Sequence, residues 1–89
     1  MNKIILITTK GCEACHIAKQ HLDSAIFQSS KEITREVKDR DEAKELVKQN
    51  RIKDFPAILY VVDDIIKYKV VGTFPTTVYL RWIDMYFKN

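Results

Sequence analysis

Two apolar runs without polar alternation, Ile4 to Ile7 and Ala57 to Val62, constrain this chain more than any other feature. A strand with apolar residues at every position has two faces to bury, so it belongs inside a sheet that is covered on both sides. Helical patterns elsewhere supply the cover. From Cys12 to about Ser29, the residues Cys15, Ala18, Leu22, Ala25 and Ile26 recur at helical spacing, with Lys19, Gln20 and Asp23 on the other side. Val78, Tyr79, Trp82, Ile83, Tyr86 and Phe87 form one broad apolar face on a second helix, with Pro75 suited to its first turn. Ile33, Arg35 and Val37 alternate with Thr34 and Glu36, which predicts a strand with a less buried face. Asp39 or Asp41 is placed to cap a helix carrying Ala43, Leu46, Val47 and Asn50. Asp63-Asp64 separates Ala57–Val62 from a further strand, Ile65 to Val71. Asp tolerates left-handed backbone, so the pair predicts a tight hairpin, which Gly72 then ends. The predicted order is β-α-β-α-β-β-α, an α/β fold with a four-stranded mixed sheet flanked by helices.

At 89 residues the chain has room for a single domain, spanning 1–89. With 46% hydrophobic and 30% charged residues, it has the composition of a folded protein rather than a disordered one. The formal charge of +3 is spread among interleaved acids and bases, as in Arg35-Glu36, Lys38-Asp39 and Lys44-Glu45. That pattern argues against nucleic-acid and membrane-surface roles. Ile4–Ile7 is too short for the apolar region of a signal peptide, and no later stretch is long enough to cross a bilayer. The expectation is a cytoplasmic protein, acting as a monomer. In a reducing compartment a pair of cysteines serves redox chemistry or metal binding more often than structural cross-linking.

Cys12-Glu13-Ala14-Cys15 falls where the first strand gives way to the first helix. At a helix N-terminus the first backbone N–H groups lack internal partners and the dipole is positive, which stabilises a thiolate. Residues i and i+3 share a helical face, so the two sulfurs can reach bonding distance. Cys12, at the exposed end, is the expected attacking thiolate. Cys15, on the apolar stripe, is the expected resolving thiol. Lys10 favours the thiolate, as does His16 when protonated, whereas Glu13 opposes it. His16 is otherwise an ordinary solvated helix residue, and His21 is expected to be an exposed one. Three alternatives use the same residues. Cys12 to His16 spells the Cys-x-x-Cys-His attachment sequence of c-type haem, but that chemistry goes with export. A zinc site using both cysteines with His16 or His21 lacks a second ligand pair at zinc-finger spacing, so no metal is expected. A structural pair in a binding module is the third alternative.

With the strand, the cysteine pair and the helix in place, the whole chain resembles the thioredoxin superfamily, as a small thioredoxin- or glutaredoxin-like protein. The second match is Arg51-Ile52-Lys53-Asp54-Phe55-Pro56-Ala57-Ile58-Leu59-Tyr60-Val61, similar to the thioredoxin segment in which an apolar residue precedes a cis-proline and a buried strand follows. The hairpin, Val70-Val71-Gly72 and the final helix also resemble that family's ending. The resemblance implies a thioredoxin fold and a thiol–disulfide oxidoreductase that works through a redox-active Cys12–Cys15 disulfide. No bound cofactor is implied, but an external reductant is, either a reductase or glutathione. Its substrates would be disulfide-containing proteins or small thiol compounds. Pro56 would lie beside the cysteines, with Phe55 offering its backbone to an extended substrate and Gly11 permitting close approach.

The departures are specific. Glu13-Ala14 is neither the Gly-Pro of typical thioredoxins nor the Pro-Tyr of typical glutaredoxins, so the direction of electron flow stays open. Gly11 replaces the usual tryptophan, and Leu6 stands where thioredoxins carry a buried acid. Val71-Gly72-Thr73 replaces the Gly-Gly and Asp pattern with which glutaredoxins hold glutathione. The runner-up function is a thioredoxin-fold binding module that recognises a partner at the Phe55–Pro56 surface with inert thiols. Trp82 and its aromatic neighbours could form part of that surface, but their helical spacing favours core packing.

Overall fold

The two-sided burial demanded by the apolar runs organises the molecule. The computed structural model describes residues 1–89 and contains β1 (Asn2–Thr8), α1 (Glu13–Gln28), β2 (Ile33–Asp39), α2 (Lys44–Gln49), β3 (Ala57–Val62), β4 (Ile65–Val71) and α3 (Thr76–Tyr86). The sheet order is β2-β1-β3-β4, which puts both apolar strands in the middle. β1 runs parallel to β2 and antiparallel to β3, and β3 runs antiparallel to β4. Alternate side chains of the central strands then feed two separate cores. Ile4, Leu6, Ile58, Tyr60 and Val62 pack with Leu22 and Ala25 of α1 and with Tyr79 and Ile83 of α3. Ile5, Ile7, Ala57, Leu59 and Val61 face the opposite side, where Ala43, Ile52, Leu46 and Val47 cover them. α2 is short, and it serves as a lid for the smaller core.

Aromatic residues complete the larger core. Tyr68 stacks on Tyr86 at 4.7 Å between ring centroids, and Trp82 lies 5.2 Å from both Tyr68 and Phe74. Trp82 is therefore packed against the core, as its helical spacing predicts. Burial raises the Tyr60 hydroxyl above the usual tyrosine range, reinforced by the neighbouring Tyr79 and Tyr68. That hydroxyl finds its partner by donating to the Tyr79 carbonyl at 3.2 Å.

Polar side chains close the chain ends. Buried Asn2 donates to the carbonyls of Glu32 (3.1 Å) and Lys88 (2.6 Å) and accepts from Lys88 N–H (3.0 Å). Lys31 donates to the carbonyls of Ile83, Asp84 and Phe87 at 3.2, 3.1 and 2.9 Å. A cation at the last carbonyls is the favourable charge for a helix C-terminus, and here it comes from a distant segment.

The hairpin forms at Asp63 and Asp64, whose φ values of 51° and 67° are the left-handed pair that a two-residue turn needs. Two local expectations are corrected. Neither Asp39 nor Asp41 caps α2, which begins after Ala43 with no side-chain cap bond. Asp39 instead accepts the Asp41 N–H at 3.0 Å, turning the chain before the helix. Pro75 is the residue before the first turn of α3, in extended conformation, rather than part of the turn. No helix is long and apolar enough to cross a membrane.

Asp63 also pairs with Lys88 and with the amino group of Met1. The Lys88 ammonium, followed by that amino group, holds the Asp63 carboxyl down at about 2. A carboxyl with a lowered folded-state pKa stabilises the fold above its unfolded value of about 4, and that stabilisation is lost as pH falls toward the folded value. Asp63→Asn should therefore melt below the wild type at neutral pH, with the difference in Tm closing between about pH 4 and pH 2. Thermal unfolding followed by circular dichroism across that range checks it.

Candidate functional site

β1 passes into α1 through Thr9, Lys10 and Gly11. Gly11 has φ +65°, and a Cβ there would meet no atom within 4 Å. Its backbone conformation, rather than a need for space, is what asks for glycine. The turn delivers Cys12, where the sequence predicts the helical pattern to begin, to the N-cap of α1 in extended conformation (φ −101°, ψ 100°), so the helix itself starts one residue later at Glu13. There the sulfur does what a capping Ser or Asp oxygen does: Cys12 Sγ accepts the Cys15 N–H at 3.0 Å. Cys12 is half-buried, whereas Cys15 is 4% exposed on the apolar stripe with Ala18 and Leu22. Their Cα atoms are 5.2 Å apart, and the two sulfurs are joined in a disulfide.

The sheet register decides what lies beside this pair. Ile7 pairs with Ala57 and Ala57 with Val71, so β1 ends, β3 begins and β4 ends at the same end of the sheet. The β1–α1, α2–β3 and β4–α3 loops therefore emerge together. The Phe55–Pro56 bond is cis, and Pro56 is buried immediately before β3, where a missing N–H costs no ladder bond. The Pro56 carbonyl accepts Gly72 N–H at 2.9 Å, and the Thr73 hydroxyl donates to the Ala14 carbonyl, between the cysteines, at 3.0 Å. Two hydrogen bonds thus connect the cysteine motif to Pro56 through Gly72-Thr73. The Phe55 ring packs on the smaller core beneath α2.

The charged residues singled out in the sequence lie at the surface. Glu13 and His16 are exposed on α1, with His16 Nε2 3.5 Å from Gln20 Nε2. Lys10 lines an open polar hollow with Asp39, Arg40 and Asp41. Leu6 of β1 is fully buried among Ile4, Leu22 and Ile58. No group of three or more His, Cys, Asp or Glu side chains could hold a metal ion.

Three residues escaped the sequence reading. His21 is not a free surface position. It is half-buried, and its Nδ1 lies 3.0 Å from the Phe74 carbonyl, which fixes Nδ1 as a donor. Tyr79 directs its hydroxyl to the same loop, accepting Phe74 N–H at 3.1 Å and donating to the Gly72 carbonyl at 3.4 Å. Burial raises the Tyr79 hydroxyl above its ordinary range, opposed by the Phe74 N–H. Thr73 is the third. The only available signal was the need of a tyrosine on an apolar helix face for a polar partner.

No family model and no curated protein sequence matches the chain. Solved structures do. A thioredoxin-2 described as a component of the malaria parasite protein secretion machinery superposes with a TM-score of 0.83 at 16% identity, over 97% of this chain and 84% of that one. Chloroplastic thioredoxin z gives a TM-score of 0.78 at 17% identity, over 96% and 77% of the two chains. Mitochondrial thioredoxin 3 of Saccharomyces cerevisiae, in its oxidised form, gives 0.71 at 22% identity, over 86% and 72%. The chain has the thioredoxin fold, with a Cys-x-x-Cys disulfide at the start of its first helix.

Gly11→Ala would place a Cβ in open space but keep it in the left-handed region. It should lower stability by about 1–2 kcal/mol in urea unfolding while leaving the Cys12–Cys15 disulfide able to form.

Proposed function

We propose that this chain is a thiol–disulfide oxidoreductase in which Cys12 attacks and Cys15 resolves. The observation that carries the reading is the seat of Cys12 at the N-cap of α1. There its sulfur accepts a backbone N–H, with Cys15 bonded to it from one turn inside. The same N–H and helix end that hold the sulfur would stabilise negative charge on it once the disulfide opens.

In the reductive direction the Cys12 thiolate attacks one sulfur of a substrate disulfide. The other substrate sulfur leaves as a thiolate and takes a proton from solvent. Cys15 gives up its proton, attacks Cys12 Sγ and displaces the second substrate thiolate. The substrate gains two electrons, and the protein is left as the Cys12–Cys15 disulfide. A dithiol reductase or two molecules of glutathione then return the electrons. Run backwards, the same steps oxidise a substrate dithiol. Phe55 and Pro56 would dock the substrate as a short extended segment, with Gly11 leaving the approach to Cys12 open. Lys10 and His16 would favour the thiolate and Glu13 oppose it. All three loops come from one chain, so a monomer carries a complete site. A reducing compartment such as the cytoplasm suits a pair that must be regenerated.

With dithiothreitol as electron source the protein should reduce insulin disulfides, and Cys12→Ser should abolish the activity. Cys15→Ser should accumulate a mixed disulfide with substrate, visible by mass spectrometry. Equal turnover by wild type and Cys12→Ser would overturn the assignment. The reduction potential of the pair gives the direction: about −270 mV marks a thioredoxin-like reductant, about −200 to −230 mV a glutaredoxin-like one and about −120 mV an oxidant.

A further inference from the structure

The Gly72–Phe74 loop is more firmly fastened than a surface connection between a strand and a helix requires. The backbone groups of Gly72 and Phe74 are each satisfied from other elements. Gly72 N–H goes to the Pro56 carbonyl, and the Gly72 carbonyl and Phe74 N–H go to the Tyr79 hydroxyl. The Phe74 carbonyl goes to His21 of α1. Between these pinned neighbours the exposed Thr73 sends its own hydroxyl to the Ala14 carbonyl, inside the cysteine motif. Ala14 lies in the first turn of α1, where its carbonyl is already engaged by the helix. The Thr73 bond therefore adds nothing that α1 needs to form, and what it does fix is the distance between the loop and the cysteine motif. From beneath, Phe74 packs edge-on against Trp82 and Tyr79, at 5.2 and 6.1 Å between ring centroids.

We propose that Thr73 and Tyr79 are positioning residues: their hydroxyls hold the Gly72–Phe74 loop at a set distance from the cysteine motif and from Pro56, which favours polypeptide disulfides over small ones. The inference rests on the thiol–disulfide reading. Gly72 is hydrogen-bonded directly to the Pro56 carbonyl, so a polypeptide laid across Pro56 lies against the loop and is sensitive to its position. A small disulfide needs only access to Cys12. Neither hydroxyl touches a sulfur, so the redox poise of the pair is not what they set.

The test compares insulin with cystamine, a disulfide without a peptide backbone, for the wild type, Thr73→Val, Thr73→Ser and Tyr79→Phe. Dithiothreitol is the electron source throughout. Thr73→Val and Tyr79→Phe each remove a hydroxyl with little change of shape. In each, the ratio of kcat/KM for insulin to that for cystamine should fall about two- to tenfold, mainly through a higher insulin KM. Thr73→Val loses one hydrogen bond, and Tyr79→Phe, which loses two, should lie at the upper end. The reduction potential should stay at the wild-type value, and Thr73→Ser should restore the ratio. An unchanged ratio in Thr73→Val overturns the proposal, as does a shifted potential or equal slowing with both substrates. A wild type inert toward both disulfides would instead refute the thiol–disulfide reading, and the inference would fall with it.

Discussion

β1 and β3 carry apolar side chains on both faces, and a sheet built around them is stable only when both sides are covered. α1 and α3 cover one side and α2 with its flanking residues covers the other. The consequence reaches the site directly. Because β1 must run between β2 and β3, its end is forced alongside the start of β3 and the end of β4. The three loops that follow or precede those ends converge without any further instruction. Placing Cys12 beside the Pro56 loop is thus a result of packing the sheet.

The site itself uses ordinary parts of a helix start. A left-handed glycine redirects the chain, a capping atom accepts an orphan N–H, and the next turn brings a buried partner. Sulfur takes the place of the usual capping oxygen, at the helix position where backbone N–H groups and the dipole favour negative charge. The core of the sheet carries Leu6 on β1 among Ile4, Leu22 and Ile58, with no acid in that cluster.

What could be read from the sequence was local or periodic. The apolar runs gave the central strands, Asp63-Asp64 the hairpin, and the spacing of Cys15, Ala18 and Leu22 the buried stripe of α1. The misses share a cause. α2 has no side-chain cap because it is held by the core it covers, so the search for a capping Asp looked for a signal that was not needed. Lys31 serves the end of α3 from across the molecule. His21, Thr73 and Tyr79 meet only when α1, the β4–α3 loop and α3 are packed, and nothing in their spacing announces it. Pairings of this kind depend on the tertiary structure, to which propensity and periodicity are blind.

The placement of charge on the outer strands bears on solubility. β1 and β3, the segments with the strongest tendency to stack indefinitely into fibrils, have both edges occupied within the sheet. The free edges belong to β2, with Arg35, Glu36 and Lys38, and to β4, with Lys67 and Lys69. A second copy approaching β4 through its own β4 would bring lysines toward lysines, an arrangement that discourages growth of the sheet by strand addition. The chain thus concentrates its most fibril-prone sequence at the centre of the sheet, where both edges are already paired.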